Sequence, residues 1–217
     1  MSLNHDTLPE PDHSEDLFVA FANTLELEHG TPVDAVPDPD ALLGWLRERD
    51  LISDRARAVE RGRLAHDTAE AERRMERFRH LRRLLHEVAE SIERRGHPSR
   101  TQVREVNHIL RHGLHYHELR IGADGTHYAF AQVGDRLDQA RATIASSLAH
   151  FLADDDAARL RACANDGCRA IFIDRSPTGR RRWCDMRTCG NQAKVARHRA
   201  RIKADAPLAP KPATPSR

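Results

Sequence analysis

Aromatic residues make up only 5% of this 217-residue chain. No stretch approaches the roughly 18 consecutive apolar residues that a membrane span needs. The first shortage leaves a core to be built mostly from Leu, Val, Ile and Ala, and the second excludes a spanning helix. Residues 1–16 are polar and acidic, with no basic start and no apolar run, so the expectation is a chain without a signal peptide that works in the cytoplasm. There is no glycine-rich phosphate loop, no nucleotide fingerprint, no Ser/His/Asp order and no internal repeat, which points away from an enzyme. Histidine is plentiful, at 14 residues, and two groups have spacing that suits a metal: His108 with His112 at i,i+4, and His115 with His117 on one face of an expected strand. The first pair lacks the glutamate that would make a zinc-protease motif, and these histidines read as polar surface residues.

Cysteine is missing from residues 1–162 and then occurs four times within 27 residues, as Cys163, Cys168, Cys184 and Cys189. The spacing C-x4-C-x15-C-x4-C supplies two short chelate loops joined by a segment long enough to fold back, as a tetrahedral zinc requires. Two disulfides are the rival reading and would suit an exported protein. In a reducing cytoplasm the pattern reads as one zinc, and four thiolate ligands make that site closed and structural. Asn165, Asp166 and Gly167 suit a tight knuckle. Residues Ala170 to Ile173 predict a short strand, Ser176-Pro177-Thr178-Gly179 a turn, and Arg180 to Trp183 the returning strand. A helix is expected from Asn191 to Lys203. Such a module is too small for a core of its own and would take much of its folding energy from the metal. Trp183 reads as part of its hairpin core in preference to a base-stacking surface.

Charge divides the chain. The net formal charge is +2, yet residues 159–203 carry 13 Lys/Arg against 3 Asp/Glu while residues 1–158 carry 20 against 29. A basic module beside an acidic domain is the electrostatic footprint of a phosphate reader. The candidate contacts are Arg180, Arg181 and Arg182 on the hairpin, and Asn191, Gln192, Lys194, Arg197, His198 and Arg201 on the helix. A solvated charged face is the bland alternative, and RNA or an acidic protein surface would also attract this charge.

Upstream, periodicity predicts helices almost throughout: Leu17 to Glu28, Asp40 to Arg49, a third capped by Ser53-Asp54, a long run carrying Met75, Phe78, Leu81, Leu85, Val88 and Ile92 that stops at Gly96, and one opened by Ser99 or Thr101 that buries Val103, Val106, Ile109 and Leu110. The period then changes to that of two strands, Leu114 to Ile121 and His127 to Val133, before a last helix from Leu137 to Leu152. The expected fold class is mostly α with a short β-hairpin (α+β). A disordered start over 1–16 precedes a helical domain over 17–158, a zinc-binding hairpin-helix module over 159–203 and a disordered proline-rich tail over 204–217.

The segments Cys163-Ala-Asn-Asp-Gly-Cys168, Phe172-Ile-Asp-Arg-Ser176, Arg181-Arg-Trp-Cys184-Asp-Met and Cys189-Gly-Asn-Gln192-Ala-Lys194 together resemble the CGNR zinc finger. Phe21-Ala-Asn-Thr-Leu25, the Leu42-Leu43-x-Trp45-Leu46 helix and the late hairpin and helix resemble the ABATE domain that accompanies that finger. The resemblance covers about residues 17–202. It implies a bacterial, zinc-binding transcription regulator with its finger on DNA, its upstream domain sensing an effector or pairing in a homodimer, and Cys163, Cys168, Cys184 and Cys189 as the metal ligands. Where the family's name motif continues with arginine, this chain has Gln192, which keeps hydrogen bonding but loses a fixed charge. The alternative function is a protein- or RNA-interaction module whose zinc is purely structural.

Overall fold

The computed structural model describes residues 17–28, 31–122, 125–154 and 157–205. The expectations of disorder over 1–16 and beyond 205 lie outside the described residues.

One long helix organises the rest. The 28-residue α4 (Thr68–Arg95) is opened by the Asp67 carboxylate, which accepts from the Glu70 amide, and is closed by Gly96 in the left-handed region at φ 79°. Its stripe of Met75, Phe78, Leu81, Leu85, Val88 and Ile92 is buried as the spacing predicts. Against it pack α1 (Leu17–Ala22), α3 (Asp54–His66), capped by Ser53, and α6 (Arg136–Ala153), capped by Asp135. Helix α2 (Pro39–Glu48) starts on an Asp38 cap with proline in its first turn, and adds Leu42, Leu43 and Leu46 to the same core. The few aromatics are concentrated there: the ring of Phe21 meets Trp45 at 5.1 Å and Phe78 at 5.8 Å, both edge-on.

The N-terminal helix is shorter than its periodicity suggests. It stops at Ala22, and residues Leu25–Glu28 form a strand, β1, paired antiparallel with β2 (Thr31–Asp34). A contact distant in sequence decides this. Arg82 of α4 donates to both oxygens of Asp34 at 2.7 Å and to Thr24 Oγ1 at 3.0 Å, while Thr24 donates to the carbonyl of Phe21 at 2.8 Å. An almost fully buried guanidinium needs these acceptors, and only a chain that turns back brings Asp34 to it.

Helix α5 (Arg100–Leu110) carries a reciprocal capping box between Ser99 and Gln102. Its buried stripe runs Gln102, Val106, Ile109; Val103, expected inside, is 42% exposed because it points away from α6, the helix against which α5 packs. The late hairpin forms as β3 (His115–Gly122) and β4 (Gly125–Gln132). Two further strands, β5 (Leu160–Ala162) and β6 (Ile171–Ile173), make a third hairpin, and the chain ends in α7 (Asn191–Asp205). Helix α7 therefore runs two residues past the boundary expected for the module. The described residues thus give a mostly helical fold with three small antiparallel hairpins.

Burial by itself would raise the Asp34 carboxyl, but the bonds from Arg82 and the Val36 amide outweigh it and hold the carboxyl below its ordinary value. A group whose folded pKa is depressed stabilises the fold above its unfolded pKa of about 3.9 and loses that contribution as pH falls through the folded value. Asp34→Asn is expected to cost about 2 kcal/mol at neutral pH, less than a fully buried pair because the carboxylate has one edge in water. Urea denaturation should show this deficit shrinking as the pH is lowered below 4.

Candidate metal centre and nucleic-acid interface

The four cysteines arrive from three pieces of backbone. Cys163 follows β5 and Cys168 precedes β6, on either side of a knuckle closed by the Cys163 amide donating to the Ala170 carbonyl at 2.7 Å and the Cys168 amide donating to the Asn165 carbonyl at 2.8 Å. Arg169, at φ 58°, takes the left-handed conformation that lets the chain leave the knuckle. Cys184 comes just before, and Cys189 lies within, a wide helical turn, Met186–Gly190, capped by the Asp185 carboxylate. Gly190 sits close under Met186: a Cβ there would lie 2.8 Å from Met186 Sδ, so the exposed methionine side chain would have to move aside.

The four sulfurs lie within 4.8 Å of one another, with Cys168 to Cys184 at 3.5 Å and Cys184 to Cys189 at 3.7 Å. A zinc ion with sulfur ligands at about 2.3 Å needs sulfur separations of about 3.8 Å, so the quartet fits one tetrahedral ion. None of the cysteines is in a disulfide. Burial pushes the Cys168 thiol up to about 11 and the Cys184 thiol higher still, so these sulfurs lose their protons readily only to a cation. Cys189 moves the other way. Burial opposes its ionisation, but the Asn165 amide, 3.4 Å from its sulfur, and the neighbouring thiols outweigh that. Four clustered cysteines consistent with one bound zinc are thus assembled, as the spacing predicts.

The predicted hairpin is made differently. Residues Arg180 to Trp183 are not a strand; β6 pairs with β5, whose residues precede the first cysteine. Two side chains explain the exchange. Asp174, fully buried, accepts from the Ser176 amide at 2.9 Å and the Arg181 amide at 2.7 Å, which curls the chain away from β6. Asn23, at the end of α1, donates to the Ile171 carbonyl at 2.9 Å and accepts from the Ile171 amide at 3.0 Å, which occupies the backbone edge a second partner would use. A remnant of the expected pairing survives as the Ala164 amide donating to the Arg182 carbonyl at 2.8 Å. Leu160 and Ile171 belong to the helical core, so this module shares a core with the body instead of standing apart. Trp183, half-buried, packs against Cys163, Phe172 and Cys189 beside the metal ligands.

The candidate contacts for nucleic acid separate into two groups. Arg181 folds onto its own backbone: Nε donates to the Trp183 carbonyl at 2.8 Å, a terminal nitrogen donates to the Cys184 carbonyl, and the guanidinium carbon lies 5.1 Å from the Phe172 ring centre. Asn191 donates to the Arg187 carbonyl at 3.0 Å, and Gln192 Oε1 accepts from Asn165 Nδ2 at 2.9 Å. Arg180, Arg182, Lys194, Arg197, His198, Arg199 and Arg201 are exposed. On α7, of the side chains described from Asn191 to Ile202, only Ala193 is even partly covered.

In the sequence Asn165 has only the signature of a turn residue. Its Oδ1 accepts from the Gly167 amide at 3.1 Å, which turns Nδ2 toward both Cys189 and Gln192. One amide therefore ties a metal-ligand sulfur to the first turn of α7. Among the described residues no other group of three or more candidate ligands comes together. His108 and His112 stack edge to face at 5.6 Å, His115 is exposed on the hairpin, and the side chain of His117 lies outside those described.

Residues 159–202 match the family model of the CGNR zinc finger, and residues 15–155 match that of ABATE, whose description is "putative stress-induced transcription regulator". No curated protein matches the chain.

Outer partners of a metal ligand typically carry 10–100-fold in affinity. Asn165→Ala is expected to weaken zinc binding by about tenfold with all four cysteines intact, read by competition with a chromophoric chelator. An unchanged affinity would mean that the amide serves α7 alone.

Proposed function

The chain belongs to the ABATE family with a CGNR zinc finger, and from that membership we propose that it regulates transcription by binding duplex DNA through the finger. The carrying observation is α7. A 15-residue helix is marginal on its own in water, and this one lies against little besides the turn that launches it. It carries Lys194, Arg197, Arg199, Arg201 and Lys203, and its diameter suits the major groove. Arg180, Arg182, Lys194, Arg197, His198 and Arg201 take phosphate contacts, whereas Arg181 braces the finger. Gln192, whose Oε1 is engaged by Asn165, turns its amide NH2 outward. It then offers donors only, as an arginine would, and suits the guanine acceptors O6 and N7 better than adenine, which needs an acceptor as well.

The zinc, held by Cys163, Cys168, Cys184 and Cys189, is structural, because four thiolates leave no position for substrate or water. The same closure supports a regulator over an enzyme. The body senses or pairs. An open cleft of about 590 Å³ between α1, α2 and α3, lined by Asn23, Thr24, Trp45, Arg49 and Arg57, is where an effector would reach the finger, since Asn23 also grips Ile171. The packing of Trp183 among the cysteines disfavours the RNA reading, which needs exposed rings for stacking. Among the described residues no helix is long and apolar enough to cross a membrane.

Duplex-DNA affinity of the zinc-loaded protein should fall steeply with salt. Arg197→Ala with Arg201→Ala should reduce the slope of log affinity against log salt by about two, at one zinc per chain. Affinity that hardly changes between low and high salt would overturn the reading and leave a protein-interaction module.

A further inference from the structure

The β3–β4 hairpin exposes most of its described side chains. At its base the Val133 amide donates to the Leu114 carbonyl at 3.0 Å and the Gln139 side chain of α6 donates to the carbonyls of Leu114 and Val133. Beyond that base the two eight-residue strands pack chiefly on each other. A lone two-stranded hairpin is at best marginally stable in water.

Its surface does not suit water. Leu119 is 73% exposed, Ile121 87% and Tyr128 72%, and the register places Leu119 opposite Tyr128 on the same face. The other face, nearer the base, exposes Leu114, Tyr116 and Val133. Among the described residues neither strand has a second neighbour, and β4 (Gly125–Gln132) contains no Asp, Glu, Lys, Arg or Pro. Monomeric proteins blunt free edges with such residues. An arm with apolar side chains on both faces leaves one of them in water when it lies flat on its own body.

We propose that the β3–β4 hairpin is a dimerisation arm that associates with the same arm of a second copy of this chain about a two-fold axis. The patch argues for this occupant. Leu119, Ile121 and Tyr128 lie together on one face, so a two-fold contact there sets the apolar side chains of one copy against those of the other. An isologous pairing uses one patch twice, so a single sticky element suffices. It also gives the unblunted strand edge a partner of matching length. The inference does not depend on the DNA reading.

The test is sedimentation equilibrium of the full-length, zinc-loaded chain beside Leu119→Glu/Ile121→Lys, a charge-neutral pair at positions that support no core. The wild type is expected to be a dimer. The variant is expected to dissociate at least about tenfold more readily, with zinc content and far-UV spectrum unchanged. A monomeric wild type would overturn the proposal, and hydrogen exchange would then show whether residues 1–16 or 206–217 cover the arm instead. A dimer that survives in the variant would overturn it as well, by placing the interface elsewhere. Should the variant lose its helical spectrum, Ile121→Lys alone gives the same reading.

Discussion

The apolar stripe of α4 must be covered, and nearly everything in this molecule is arranged to cover it. Helices α1, α3 and α6 lie on it directly, and Trp45 of α2 reaches it through Phe21. The coverage does not end with the helical body. Leu160 and Ile171, which flank the cysteine knuckle, sink into the same core, and Arg169 extends an ion pair at 3.7 Å to Glu90 of α4. The finger is therefore oriented by hydrophobic burial as well as by its metal.

The charged groups follow a complementary logic. Between α4 and α6, Arg74 bonds Glu70, Asp135 and Asp138, while Arg77 and Arg141 also reach Asp138. Arginine in the body is largely neutralised by such networks, which hold the helices in register. In the finger the acids are few and mostly spent on shape. Asp174 and Asp185 accept from backbone amides, and Asp185 also pairs with Arg187 at 3.8 Å; among the described residues no ion pair joins either to the outward arginines of α7. An excess of positive charge on one exposed helix is the consequence.

Asn23 and Asn165 connect these two parts. The first clamps the backbone of Ile171 from the body; the second links a cysteine sulfur to Gln192 at the start of α7. The contacts run from the end of α1 to β6, and from the knuckle beside β6 to the first turn of the helix that carries the basic residues.

The sequence by itself determined whatever depends on neighbours along the chain. Caps at Ser53 and Ser99, the glycine stop at residue 96, the apolar spacing of α4, the cysteine quartet and the division of charge are all local patterns, and local patterns can be read. Tertiary structure decided the rest, because its causes lie far apart. Leu25 to Glu28 has the period of a helix, yet becomes a strand since Arg82, more than fifty residues on, needs Asp34. Ala170 to Ile173 reads as the first half of a hairpin with Arg180 to Trp183, yet pairs backwards, since Asn23 and Asp174 redirect its edges. Arg181 looks like any other basic contact until its guanidinium is seen folded onto the carbonyls of Trp183 and Cys184. A buried charge or an unsatisfied backbone edge takes the nearest partner in space, and spacing along the chain does not reveal which partner that is.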